Sequence, residues 1–237
     1  MRMIVRERGP SRKLPAMARI VVKCGGAVYR EVVDEIAALA AAGDQVCVVH
    51  GAGLQISEEM TRRGLPVEFV RGRRVTSPEA LEVVREAFAE VNAALCLAIG
   101  GRAVGLMGDE AGLEAGHVPE LGLVGDPLPT APDALVRLLE MGRIPVVAPL
   151  ARGPLNVNGD EAAAALAIGL GADRLLFFTD VPGVYVDGSV AAELGVGDAE
   201  QLLAAGGLEG GIVPKLQAAV RAARAGVATS IGATRVG

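Results

Sequence analysis

Three short stretches combine the residue types that handle anionic groups. Lys23-Cys24-Gly25-Gly26 sets a cation beside two glycines at the end of an apolar run. Glycines let backbone N–H groups approach phosphate or carboxylate oxygens, and the lysine adds a mobile positive charge. His50-Gly51-Ala52-Gly53 repeats the pattern after a second apolar run. Leu155-Asn156-Val157-Asn158-Gly159-Asp160 brings two amides and a carboxylate to the start of an alanine-rich helix. A fourth stretch, Gly210-Gly211-Ile212-Val213-Pro214-Lys215, puts a lysine in the first turn of a helix, where the dipole disfavours a cation. A purely structural choice there is Asp or Glu, so Lys215 points to an anionic ligand.

Such parts suit phosphoryl transfer. That reaction needs no protein nucleophile; it needs positioning, and positive charge where the transferred group's oxygens gather negative charge. Two lysines, backbone N–H groups and a carboxylate to orient the lysines are sufficient. Each stretch also has a plain reading. Lys23 can snorkel from a strand end, His50–Gly53 can be a tight turn without a ligand, and Asp160 can be a helix N-cap. A cap at Asp160 leaves Asn156 and Asn158 unexplained. Neither glycine turn has P-loop spacing or the dinucleotide fingerprint with its distal acid.

The elements that must position these residues alternate along the chain. Arg19–Cys24, Gln45–His50, Ile144–Leu150 and Arg174–Thr179 are short, nearly continuous apolar runs. Such runs fit parallel strands covered on both faces. Helix patterns occupy 29–42, 53–63, 77–99, 131–142, 160–170, 198–205 and 213–225. Ser77-Pro78-Glu79 is a helix start, with Ser77 as N-cap. The fold class is therefore α/β, an open, mainly parallel central sheet with helices on both faces. Residues 102–129, rich in Gly and Pro, predict short strands and loops or a hairpin flap.

Composition sets the outer bounds. At 237 residues with 51% hydrophobic and 22% charged content, the chain forms one domain or two intimate lobes. The expected division is an arm at 1–16, disordered, and a single domain at 17–237, with lobes 17–150 and 151–237. The arm carries Arg2, Arg6, Arg8, Arg12 and Lys13 against Glu7 and has no apolar core, so it is no secretory signal. A net charge of −5 argues against nucleic acid and anionic membranes as partners. No apolar run approaches the roughly 20 residues of a membrane span. Cys24, Cys47 and Cys96 match no metal or redox spacing and read as reduced, buried thiols of a cytoplasmic protein. No metal site is expected.

In order along the chain, VVKCGGAV, VVHGAGLQIS, RGRRVTSPEALEVV, VGLMGDEAGL, PELGLVGD, IPVVAPL, LNVNGDEAAAALA, FFTDVPGVY and GGIVPKLQAAV resemble the amino acid kinase family, and within it the acetylglutamate kinases. The resemblance covers residues 19–226. It implies that ATP phosphorylates the γ-carboxylate of N-acetyl-L-glutamate, the second step of arginine biosynthesis. It implies that Lys23 and Lys215 stabilise the transition state while Asp160 holds both. Ala52, Gly53, Arg74 and Asn156 would contact the acyl amino acid, Arg74 at its α-carboxylate. Gly25, Gly26, Gly51 and Gly211 would lie along the phosphates, and Asp180 at the nucleotide. Mg2+ would be carried by ATP, with no protein cage. The resemblance also leaves two alternatives: a kinase for carrier-protein-linked aminoadipate or glutamate in lysine biosynthesis, and a catalytically impaired binding relative.

The chain departs from the family pattern in four places. Ala52 stands where glycine is usual, and its Cβ would disfavour a positive φ. Leu54 often aligns with proline, and Val91-Asn92-Ala93 with Val-Asn-Lys. After Gly226 the chain is short, so a lost strand and weak adenine binding are expected. A homodimer is expected through helix 77–99, whose Leu81, Val84, Phe88, Val91 and Leu95 recur at helical spacing.

Overall fold

The computed structural model describes residues 17–26, 30–208 and 210–237. The arm expected at 1–16 lies outside them. The chain begins with β1 (Arg19–Lys23), α1 (Arg30–Ala41), β2 (Gln45–Val49) and α2 (Gly53–Arg62). A small hairpin, β3 (Phe69–Val70) and β4 (Arg73–Arg74), precedes the long α3 (Pro78–Ile99). Then come β5 (Ala103–Met107), α4 (Gly108–Ala111), β6 (Ala115–His117), β7 (Val124–Pro127) and α5 (Asp133–Glu140). β8 (Ile144–Ala148), β9 (Leu150–Ala151) and β10 (Leu155–Val157) lead into α6 (Gly159–Gly169). The rest is β11 (Arg174–Phe177), β12 (Tyr185–Val186), β13 (Ser189–Val190), β14 (Glu193–Leu194), α7 (Val196–Ala205), α8 (Ile212–Arg224), β15 (Ala228–Ile231) and β16 (Thr234–Val236).

Eight of these strands form one sheet in the order β14-β16-β15-β11-β1-β2-β8-β5. Its pairings are parallel except for the β15–β16 hairpin. Two cores explain the continuous apolar runs. Ile20, Val22, Val46 and Val48 pack toward α1, α2 and α3, while Val21, Cys47 and Val49 pack toward α5, α6 and α8. Both faces of β1 and β2 are therefore buried, and every second residue feeds a different core. Each such Val, Leu or Ile contributes about 1.5–3 kcal/mol by leaving water. In α6, Ala162 to Ala167 are fully buried. Small side chains there let the helix lie close to the sheet and to α8, which fixes where its first turn sits.

A second sheet, β6-β7-β10-β9, stands beside the first and aligns Asn156 with Val124. Ser77 caps α3, its Oγ accepting the Ala80 N–H at 3.2 Å.

Three expectations are corrected. Residues 102–129 include not only the short strands β6 and β7 but a full edge strand of the main sheet, β5. Gly105 interrupts its apolar pattern, because a Cβ there would fall 2.1 Å from Asn92 Oδ1. The stripe Leu81, Val84, Phe88, Val91 and Leu95 is buried in the chain's own core, so it offers nothing to a second copy. Where a lost strand was expected after Gly226, two strands stand in the sheet: Ala228–Ile231 is β15, and Thr234–Val236 returns as β16 between β14 and β15. On this part of the sheet, the face bearing Arg174, Ala228 and Arg235 is exposed.

Candidate active site

β1 and β2 end side by side, with Lys23 opposite Val49. The turns beyond them are laced together: Cys24 N–H donates to Val49 O at 3.0 Å, and Gly51 N–H to Cys24 O at 3.1 Å. Gly26 lies so close to the second turn that a Cβ would sit 2.8 Å from Gly51 O and 2.9 Å from Ala52 Cα. Gln55 Nε2 donates to Gly26 O at 2.8 Å and closes the contact. Ala52 has φ −146°, an ordinary angle for a residue with a side chain. The strain expected of its Cβ is absent, and its methyl is buried in the core.

α6 starts directly behind these turns. Its N-cap is Asn158, whose Oδ1 accepts the N–H groups of Asp160 at 2.8 Å and Glu161 at 3.2 Å. Asp160 is therefore not the cap, and its carboxylate is free for other work. Lys23 Nζ lies 2.7 Å from Asp160 Oδ1, and Lys215 Nζ 3.5 Å from Oδ2. Lys215 Nζ also donates to Gly211 O at 3.3 Å. Burial pulls the Lys215 pKa down; Asp160 opposes that, and the Lys23 charge adds to it. Three groups from β1, α6 and α8 thus form a cluster with two positive charges and one negative.

Lys23 and Asp160 line a cavity of about 220 Å³ together with Gly51, Ala52, Gly53, Arg74 and Asn156. Arg74 is 6% exposed. It donates to Gly53 O at 2.9 Å and Ser57 Oγ at 2.8 Å, and its guanidinium lies 4.5 Å from the Phe69 ring centre. Among the described residues it has no acidic partner, and burial draws its pKa down. A buried cation without a counter-charge is costly, so the arrangement calls for an anion. Asn156 Nδ2 donates to Thr76 Oγ1 at 3.0 Å, which leaves its Oδ1 to accept.

On the other side of Lys23 opens a second cavity of about 520 Å³. Gly25, Gly26, Gln55, Thr179, Asp180 and Lys215 line it. Asp180 accepts from Thr179 Oγ1 at 3.2 Å. Every site residue expected from the sequence lies on one of the two cavities, except Gly211, which touches Lys215 from the next turn.

Sequence reasoning gave His50 no role of its own and passed over Arg73 and Gln55. His50 is fully buried with its ring edge-on to Phe88. Asn92 Nδ2 approaches its Nε2 at 3.1 Å and also donates to Val146 O at 2.8 Å. Burial lowers the His50 pKa to about 4, so the ring is neutral. Arg73 Nε donates to Glu161 Oε1 at 3.0 Å and its Nη2 to Asp126 Oδ1 at 2.9 Å. The usable signal was the pair of arginines in RGRRVT, which a strand must send to opposite faces.

Residues 18–232 match the model of the amino acid kinase family. The chain is 40% identical to the acetylglutamate kinase of Frankia casuarinae, over 89% of this chain and 65% of that protein. It is 41% identical to the acetylglutamate kinase of Rubrobacter xylanophilus, over 91% of this chain and 88% of that one. The crystal structure of smu.665 from Streptococcus mutans superimposes with a TM-score of 0.83 at 27% identity, covering 92% and 98% of the two chains. N-acetylglutamate synthase from Neisseria gonorrhoeae, complexed with coenzyme A and N-acetyl-glutamate, shares the fold with a TM-score of 0.80 at 22% identity. That likeness covers 92% of this chain and 59% of the synthase.

Proposed function

The chain belongs to the amino acid kinase family, and from that premise we propose that it transfers the γ-phosphoryl group of ATP to the γ-carboxylate of N-acetyl-L-glutamate, the committed chemistry of its acetylglutamate kinase relatives in arginine biosynthesis. The observation that carries the proposal is the Lys23–Asp160–Lys215 cluster at the junction of the two cavities, with the unpaired Arg74 in the smaller one.

In this reading Arg74 takes the α-carboxylate, and Asn156 Oδ1 accepts the acetamide N–H. The γ-carboxylate then faces Lys23. It is already ionised, so no base is needed: a carboxylate oxygen forms a bond to the γ-phosphorus. The bond from that phosphorus to the bridging oxygen breaks, and ADP leaves with the electron pair. Lys23 and Lys215 neutralise charge on the transferred and departing oxygens, which is where preorganised cations are worth most. Asp160 keeps two like charges at a fixed spacing. Both of its oxygens are engaged by lysines, so we assign Mg2+ to the ATP complex, where it neutralises phosphate charge. Gly25, Gly26 and Asp180 border the nucleotide, whereas Gly51 lies on the smaller cavity and Gly211 meets the site only through Lys215. The lobes are read as acyl-amino-acid side at 17–150 and nucleotide side at 151–237.

Two further readings accompany this one. Two copies pair through the outer face of α3, where Ala89, Ala93 and Ala94 are exposed and Leu97 is 85% exposed. Light scattering should give a dimer, and Leu97→Glu a monomer. The cytoplasm is the setting that suits three free cysteines, two of them buried. No helix among the described residues is long and apolar enough to cross a membrane.

ADP release with a panel of acceptors tests the function. N-acetyl-L-glutamate should give the highest kcat/KM; a preference for free glutamate, aspartate or a carrier-linked aminoadipate would overturn the assignment.

A further inference from the structure

The β3–β4 hairpin carries Arg74 on one face and Arg73 on the other. Arg74 turns toward α2, at Gly53 and Ser57. Arg73 turns the opposite way, to Glu161, which is the residue directly after Asp160 in the first turn of α6. The hairpin tip makes two more contacts on that side. Asn158, the cap of α6, donates through Nδ2 to Gly72 O at 3.1 Å. Gly72 also faces Pro214, one residue before Lys215; a Cβ on it would lie 3.6 Å from the proline ring. The element that holds the substrate-side arginine is therefore fastened to the segments that bear Asp160 and Lys215.

Arg73 is the one charged side chain that the hairpin itself brings to these fastenings. It and Glu161 are 21% and 18% exposed, so water competes only partly for the pair. Glu161 Oε2 is buried without a hydrogen-bond partner. Burial raises the Glu161 pKa, and Arg73 is the main opposing influence. The same guanidinium reaches Asp126 of β7, next to the strand that carries Asn156. A lysine could supply the charge but not the fork that spans both carboxylates.

We propose that Arg73 is a positioning residue for the acyl amino acid: through Glu161 and Asp126 it fixes the β3–β4 hairpin so that Arg74 is held at the distance from the Lys23–Asp160 cluster that one substrate molecule spans. The proposal rests on the functional reading above; Arg73 borders the smaller cavity, but its guanidinium is engaged by Glu161 and Asp126, and it acts through them. Arg73 and Glu161 act as a unit, so losing either has the effect of losing both.

Titration calorimetry on the full chain tests this, with N-acetyl-L-glutamate and, separately, a non-hydrolysable ATP analogue. Arg73→Leu and Glu161→Gln should each weaken N-acetyl-L-glutamate binding by about tenfold, and the double variant by no more than either alone. Arg73→Lys should recover part of the loss. Affinity for the ATP analogue should stay within about twofold, because no residue of the hairpin lines the larger cavity. In kinetics KM for the acyl amino acid should rise while kcat is largely kept. If Arg73→Leu proves unfolded, Glu161→Gln preserves size and carries the same test. Wild-type affinity in Glu161→Gln, additive losses in the double variant, or equal losses for both ligands would each overturn the proposal. If the unaltered chain binds no N-acetyl-L-glutamate, the functional reading falls and this proposal falls with it.

Discussion

The two cavities that meet at Lys23 are made of different materials. The smaller is walled by side chains that already have fixed partners: Arg74 between Gly53, Ser57 and Phe69, and Asn156 on Thr76. The larger is bordered by Gly25 and Gly26, by the apolar Val32, Leu54 and Phe178, and by Lys215 and the shared Lys23. Side chains held this way read the shape and charge pattern of a small molecule. A glycine turn and two lysines read phosphate, which every nucleoside triphosphate has. Selectivity should thus be strict in the smaller cavity and lax in the larger.

The cluster common to both halves should be hit hardest. Lys23→Ala or Lys215→Ala is expected to lower kcat by about 10²–10³, the cost of one preorganised charge-stabilising donor. Steady-state kinetics with both substrates near saturation would show it. An unchanged kcat in Lys215→Ala would remove that residue from the chemistry.

Next comes the contrast between halves. Arg74→Ala should raise KM for the acyl amino acid by about 10- to 100-fold, the worth of a charged hydrogen-bonding group, and leave KM for ATP alone. Equal rises for both substrates would erase the distinction between the cavities.

The main-chain half should answer to glycine substitutions instead. In Gly26→Ala the new methyl would meet Gln55 Oε1 at 2.6 Å and Gly51 O at 2.8 Å. Both turns must shift, which should cost about 1–3 kcal/mol of stability and weaken ATP binding. Gly25→Ala meets nothing within 4 Å and should leave stability within about 0.5 kcal/mol. Urea midpoints and ATP affinities for the pair decide the matter; indistinguishable variants would mean the turns are not packed as described.

The last effect leaves both substrates aside and concerns stability at low pH, through His50, which leads into the side-chain half. Its pKa falls from 6.5 in the unfolded chain to about 4 in the fold. As pH drops below 6.5 the unfolded chain takes up this proton first, so stability present above that pH declines until about pH 4. The slope should approach about 1.4 kcal/mol per pH unit in that window. His50→Asn should flatten it, as read from urea midpoints at several pH values. A variant with an undiminished slope would place the acid sensitivity elsewhere.

What the sequence made legible follows from the same physics. β1, β2 and β8 were readable because strands buried on both faces need unbroken apolar runs. β5 was not, because an edge strand with Gly105 under Asn92 lacks that pattern. The periodicity of α3 revealed an apolar stripe but could not say whether it covers this chain's sheet or a second copy. Lys23, Asp160 and Lys215 lie far apart in sequence; their residue types suggested one chemistry and the family resemblance gave them roles, but only the fold brings them into contact. Arg73 was within reach of the RGRRVT pair, but its partner Glu161 lies 88 residues further on in α6, and no local pattern joins the two. The angle at Ala52 depends on packing against Gly26, which no local pattern reports.

The most direct measurement is mass spectrometry of the hydroxylamine adduct formed with Mg-ATP and N-acetyl-L-glutamate. The account predicts the γ-monohydroxamate, one per ADP released, absent without ATP and nearly absent in Lys23→Ala. ADP release with no adduct, or an adduct at the α-carboxylate, would contradict it.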